Sequence, residues 1–208
     1  MTQGQFLERS TVIPTADGVL EALSHRGTRA PPLLIVPPPP GAGGMDHPVA
    51  AELAWAVTRA GHPTLRFNFR GVGASPGQPG LPEAQGEDIE AALRALEETA
   101  GTAAPAIASL GGSATTVLGL AAVHPGLAGV ALVSPTALEV EDLARVRPAL
   151  LVVVGAGETL RRAALAAAVA EAGGMLVVVP GADARFQRNL PEVGRSVAQW
   201  LQGLAPSP

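Results

Sequence analysis

A hydroxyl becomes a nucleophile when a sharp turn exposes it and a histidine, oriented by a carboxylate, takes its proton. The stretch "AIASLGGSATTVLGLAAVHP" (106–125) has the right local shape for that chemistry. A short apolar run enters a glycine pair, and an alanine-rich helical pattern leaves it. Ser109 and Ser113 stand on either side of Gly111 and Gly112. The bases available are His25, His47, His62 and His124, all of them upstream of residue 125. The chain has no cysteine, which removes thiolate nucleophiles, disulfides and thiolate metal sites together. No histidines and carboxylates cluster at ligand spacing, so no metal is expected. The glycine-rich "GVGASPG" (71–77) departs from G-x-G-x-x-G and opens no helix directly, so no dinucleotide cofactor is expected either.

The elements that must position these residues alternate. "RSTVIPTADGVLEALSHRG" reads as a hairpin around an Asp17-Gly18 turn. The unbroken apolar run "LLIV" (33–36) reads as a buried strand. A helix is expected over 48–61, with Val49, Leu53 and Val57 on one stripe and Gly61 as its stop. Then follow a strand over 64–69, an amphipathic helix over 82–101, a strand over 105–109 and a helix over 112–124. Strands over 129–133 and 149–154, a helix over 160–172 and a strand over 175–179 come next. In the closing helix Leu190, Val193, Val197, Leu201 and Leu204 recur at helical spacing. A leading hairpin followed by strand–helix alternation predicts a three-layer α/β/α sandwich, its sheet mostly parallel with an N-terminal antiparallel hairpin. One domain over 1–208 is expected, with termini at about 1–8 and 204–208 frayed.

Three stretches carry a family resemblance. "LRFNFRGVGASPG" (65–77), "PPPPGAGGMDHPV" (37–49) and "VHPGLAGVALVSP" (123–135) resemble the signature segments of the α/β-hydrolase superfamily. They are most similar to its small cap-less dienelactone-hydrolase-like branch, and the resemblance runs through the chain after residue 10. It implies a triad of serine, carboxylate and histidine in that chain order. Counting back from His124-Pro125 places the nucleophile position at Gly111. The same resemblance places the acid at Glu158 and the histidine at Ala184 of "GADARFQ". Arg185 beside it is a permanent cation and cannot act as the base. The oxyanion-hole donors implied are Gly112 and, beyond the four prolines 37–40 that lack an N–H, Gly41 or Ala42.

Glycine is an intelligible replacement at an elbow. The turn holds its residue at backbone angles that cost about 1–3 kcal/mol for a side chain and little for glycine. The expectation is a hydrolase-fold protein without hydrolase activity that serves as a binding or scaffolding protein. The alternative is an active carboxylic-ester hydrolase with a displaced nucleophile, Ser113 or Ser109, and a base such as His47. His47 reads rather as the start of its helix, and His124 as the end of the elbow helix. His25 reads as a strand end and His62 as a surface turn. The ligand concavity implied at the carboxyl ends of the strands has Pro40, Arg70, Ser113, Arg185 and Phe186 on its rim.

Composition bounds the partners. With 47% apolar residues, 15% charged residues and a net charge of −4, the chain is globular and offers no basic footprint for nucleic acid. No apolar run approaches a membrane span of ~20 residues, and "MTQGQFLERS" lacks the layout of a signal peptide. A cytoplasmic location is expected. The expected partner is a small apolar ligand or a protein. The high apolar content further suggests a homo-oligomer, through an edge strand or the final helix bearing Trp200.

Overall fold

The computed structural model describes residues 7–101, 104–136, 138–157 and 162–204. Eight strands form one sheet in the order β1-β2-β4-β3-β5-β6-β7-β8. They are β1 (Arg9–Thr15), β2 (Gly18–His25), β3 (Leu33–Val36), β4 (Thr64–Phe67), β5 (Ala106–Leu110), β6 (Gly129–Val133), β7 (Ala149–Gly155) and β8 (Met175–Val179). β1, β2 and β4 pair antiparallel, and every pairing from β4 through β3 to β8 is parallel. Among the described residues five helices cover the sheet: α1 (Pro48–Arg59), α2 (Pro82–Ala100), α3 (Ala114–Val123), α4 (Arg162–Glu171) and α5 (Leu190–Gly203). Between β6 and β7 the described residues include a 3-10 segment, Val140–Arg145.

Strand alternation divides the apolar residues between the two layers. Leu34, Val36, Ile107, Leu132 and Val152 pack with Ile89 of α2, Val117 of α3 and Leu165 of α4. Leu33, Ile35, Ala108, Ala131 and Val153 pack with Leu53 of α1 and Val197 of α5. Central strands buried on both faces need unbroken apolar runs, and β3, β5 and β6 are buried at every position.

Several boundaries differ from the sequence expectation, each for a local reason. The hairpin closes with Thr15 opposite Gly18, so its two turn residues are Ala16 and Asp17. β4 ends at Phe67, two residues early: the Asn68 N–H still donates to the Glu21 carbonyl of β2, but its own carbonyl accepts the Ser75 hydroxyl. α1 ends at Arg59 with Ala60 as its cap, and Gly61 follows at φ +100°. The expected α4 start at 160 lies outside the described residues. Trp200 is 8% exposed, not a free surface group: its ring fills the space over Gly129, where a Cβ would sit 2.6 Å away. His62 likewise is buried and not in a surface turn. The chain at 27–29 covers it, with the N–H groups of Thr28 and Arg29 both donating to the Gly61 carbonyl.

Candidate functional site

β5 delivers the glycine pair at its carboxyl end, between β3 and β6. Leu110 is still extended; Gly111 turns the chain at φ +58°, and one 3-10 turn over Gly111–Ser113 leads into α3. That left-handed angle strains any residue with a Cβ. Space is not the obstacle, because among the described residues a Cβ at Gly111 would meet only Thr136 Oγ1, at 4.0 Å. The Thr136 N–H donates to the Gly111 carbonyl at 3.2 Å, so the segment after β6 is tied to this turn. On the other side, the ring of Pro39 lies 3.2 Å from where a Cβ on Gly112 would be.

Both candidate serines are buried. Ser113 donates its hydroxyl to the Pro37 carbonyl at 2.7 Å, tying the turn to the loop after β3. Ser109 is 0% exposed within β5, and its Oγ has no hydrogen-bond partner among the described residues. Ser113 is therefore not a rim residue; its hydroxyl is committed to the scaffold. No hydrogen bond joins either serine to a histidine among the described residues.

The loop after β3 is held by a network centred on Asn68. Asn68 Oδ1 accepts the Met45 N–H at 2.8 Å, and its Nδ2 donates to Glu21 Oε2 at 2.8 Å. The same Glu21 oxygen accepts the Ala74 N–H at 2.8 Å. Ser75 donates to the Asn68 carbonyl and accepts the Glu21 N–H. Gly44 and Gly73 flank the amide so closely that a Cβ on either would lie 2.5 Å or less from it. "NFRGVGAS" is thus a structural clamp between the loops after β3 and β4. Glu21 has no signal in the sequence, since only the pairing of β2 with β4 brings it to Asn68.

Arg70 is drawn into α2. Its Nε donates to Asp88 Oδ1 at 2.9 Å and its N–H to Oδ2 at 3.0 Å, while Nη2 reaches Glu87 at 3.1 Å. The hydrogen bond to the buried Asp88 carboxylate holds the guanidinium proton more tightly than usual. Arg70 also borders a cavity of about 470 Å³ between the β1–β2 turn and the 76–81 segment.

No family model matches this chain, and no curated protein matches its sequence. Its fold has many solved neighbours. An α/β serine hydrolase homologue from Coxiella burnetii superposes with a TM-score of 0.79 at 25% identity, over 93% of this chain and 97% of that one. The chain has the α/β-hydrolase fold. A lid-less α/β serine hydrolase from Xanthomonas campestris matches at 22% identity and TM-score 0.75, covering 96% of this chain and 97% of that one. A dienelactone hydrolase from Anabaena variabilis matches at 15% identity and TM-score 0.78, covering 97% of this chain and all of that one.

An α/β-hydrolase brings its acid and histidine to the elbow from the loops after its later strands. Here Glu158 lies outside the described residues. After β8, Ala184 is exposed, and its carbonyl accepts the Ser134 hydroxyl at 2.7 Å. Asp183 Oδ1 accepts the N–H groups of Arg185 and Gln187 and so holds its own loop. Phe186, expected on the rim, is buried in the α1–α5 layer. Arg185 is exposed and Pro40 half-buried. Of the expected oxyanion donors, the Ala42 N–H is already given to the Pro39 carbonyl at 3.0 Å, closing a turn. Gly41, at φ +89°, has open space around its Cβ position.

The histidines are engaged elsewhere. His47 caps α1, its Nδ1 accepting the Val49 N–H at 3.3 Å, and burial lowers its pKa. His124 caps the end of α3 near Glu90. His25 Nδ1 meets Thr64 Oγ1 at 3.2 Å; burial chiefly lowers its pKa, opposed by Glu8 and assisted by Arg66. His62 Nδ1 lies 2.9 Å from the Pro31 carbonyl, which makes Nδ1 the protonated nitrogen, and burial lowers its pKa. Among the described residues no helix is long and apolar enough to cross a membrane.

Proposed function

We propose that this α/β-hydrolase-fold protein lacks serine-hydrolase activity and acts as a binding or scaffolding protein. One observation carries the reading: the turn at the end of β5 has the backbone of an elbow, with φ +58° and room for a side chain, yet its residue is Gly111. The positions Gly111, Glu158 and Ala184 then form a remnant triad that retains only its carboxylate. No histidine follows residue 124, so the usual chain order cannot be completed. Losing serine or histidine alone costs about 10⁶ in turnover, and losing both adds little because they work as one unit. The committed Ala42 N–H further weakens the oxyanion hole.

The partner is a small apolar ligand or a protein segment at the carboxyl ends of the strands, and the setting is the cytoplasm. A displaced nucleophile finds little support, since Ser113 is spent on Pro37 and Ser109 is sealed inside β5. The test is turnover of small activated esters by purified protein, beside Ser109→Ala and Ser113→Ala. Rates equal to those of the buffer in all three support the reading. Hydrolysis abolished by either substitution overturns it.

A further inference from the structure

The two edges of the sheet are unlike. β1 carries Arg9, Ser10 and Thr11, all exposed, and has Pro14 within it. Charge and proline are what blunt an edge against pairing. β8, at the other edge, is Met175-Leu176-Val177-Val178-Val179, with no charge, proline or glycine. Met175 is 53% exposed, and Leu176, Val177 and Val178 are half-buried.

Register identifies which backbone groups are open. The Ser134 N–H donates to the Val153 carbonyl, so Val153 points its polar groups at β6, and Val152 and Val154 point theirs at β8. In a parallel ladder the residue opposite such a residue points its own groups away. Val152 lies opposite Leu176, and Val154 opposite Val178. The Ala156 N–H bond to the Val179 carbonyl agrees with this phase. The N–H and C=O of Leu176 and of Val178 therefore project from the sheet edge, and no hydrogen bond among the described residues engages them.

Backbone donors and acceptors that recur at every second residue, about 6.6 Å along the strand, are complemented by another strand. The geometry points to a second copy of this chain, pairing β8 with β8 antiparallel about a two-fold axis through Val177. In that register Leu176 faces the partner's Val178 and Val178 the partner's Leu176. Both are outward-pointing residues, so each pair exchanges two hydrogen bonds. The axis is normal to the sheet, so each layer continues across it. Leu176 and Val178 lie on the α4 side, and α4 packs against β8. The α4 solvent face is uncharged between its ends: Ala163, Ala164, Ala167 and Ala170 are its exposed residues before Glu171. Alanines let two helices approach closely. The two-fold runs them antiparallel, with the end bearing Arg162 toward the partner's Glu171. Isologous pairing closes at two copies and consumes both exposed edges. The result is one sixteen-stranded sheet, whatever the chemistry at the β5 turn.

Sedimentation from low to high micromolar concentration, with amide exchange read residue by residue, tests this. The native chain should sediment as two copies at high concentration, with the Leu176 and Val178 amides protected there and exchanging fast on dilution. Val178→Pro removes an outward N–H without touching the β7 ladder and should give a monomer with unchanged far-UV circular dichroism. Ala167→Arg, on the exposed face of α4, should also shift the chain to monomer. If Val178→Pro misfolds, Ala167→Arg and the amide pattern decide. A native monomer at high concentration, or a dimer that survives Ala167→Arg with the two amides unprotected, would overturn the assignment.

Discussion

Replacing Gly111 by serine separates the backbone of the elbow from its chemistry. The substituted residue must hold φ +58°, a left-handed conformation that costs a residue with a Cβ about 1–2 kcal/mol. No steric cost is added, because among the described residues the only neighbour within 4 Å of the new Cβ is Thr136 Oγ1, at ordinary contact distance. For a chain of 208 residues, each kcal/mol lowers the melting temperature by about 2–4 °C, so Gly111→Ser should lower it by about 2–8 °C. Calorimetry measures this directly. Gly111→Ser alone should give no ester turnover, because no histidine stands where it could take the proton. Adding Ala184→His changes an exposed side chain, at about 0.5 kcal/mol or less. The double variant should label at position 111 with a fluorophosphonate. A loss near 4–5 kcal/mol for Gly111→Ser would show that the turn cannot carry a side chain. Turnover by Gly111→Ser alone would reveal a base that this account omits.

Asn68→Ala should cost about 2–4 kcal/mol in denaturant unfolding, because it strips a partner from the Glu21 carboxylate and orphans the buried Met45 N–H; a loss under about 0.5 kcal/mol would mean that the clamp is decorative. Ser113→Ala should lower stability by about 1 kcal/mol through the lost bond to Pro37, with no effect on ester turnover; a lost activity would make Ser113 a nucleophile. The pKa values of His25, His47 and His62 are lowered by burial from 6.5, so the unfolded chain binds their protons first on acidification. Their contribution is complete above pH 6.5 and is lost as pH falls from there through the lowered folded values. Urea unfolding should show stability declining over that window, with a shallower decline for His62→Asn, whose amide can still reach Pro31; an equal slope would remove His62 from the cause.

The order and type of the elements were legible because strand and helix periods are local properties. So was the glycine turn: "SLGGS" sits where a strand's apolar run stops and a helical pattern starts. What was illegible depended on which surfaces meet. Trp200 reads as the exposed flank of an amphipathic helix until Gly129 is seen to leave a hollow for its ring. His62 follows a glycine and looks like a turn, but the 27–29 segment, distant in sequence, closes over it. Phe186 lies in a polar loop, yet it turns inward because Asp183 folds that loop upon itself. Glu21 had no sequence signal: it is an ordinary acidic residue on a hairpin until strand pairing sets it against Asn68. At the candidate site, spacing located the turn, while hydrogen bonding decided that Ser113 and Ala42 are already committed.

The claim that the fold has shed its chemistry meets its most direct test in one measurement: intact mass of the native chain after saturating treatment with a fluorophosphonate probe. The probe reports any activated serine without knowledge of a substrate. With glycine at the elbow, Ser109 sealed in β5 and Ser113 bonded to Pro37, the account predicts an unmodified mass. One probe adduct per chain, mapped to Ser109 or Ser113 and lost when that serine becomes alanine, would contradict it.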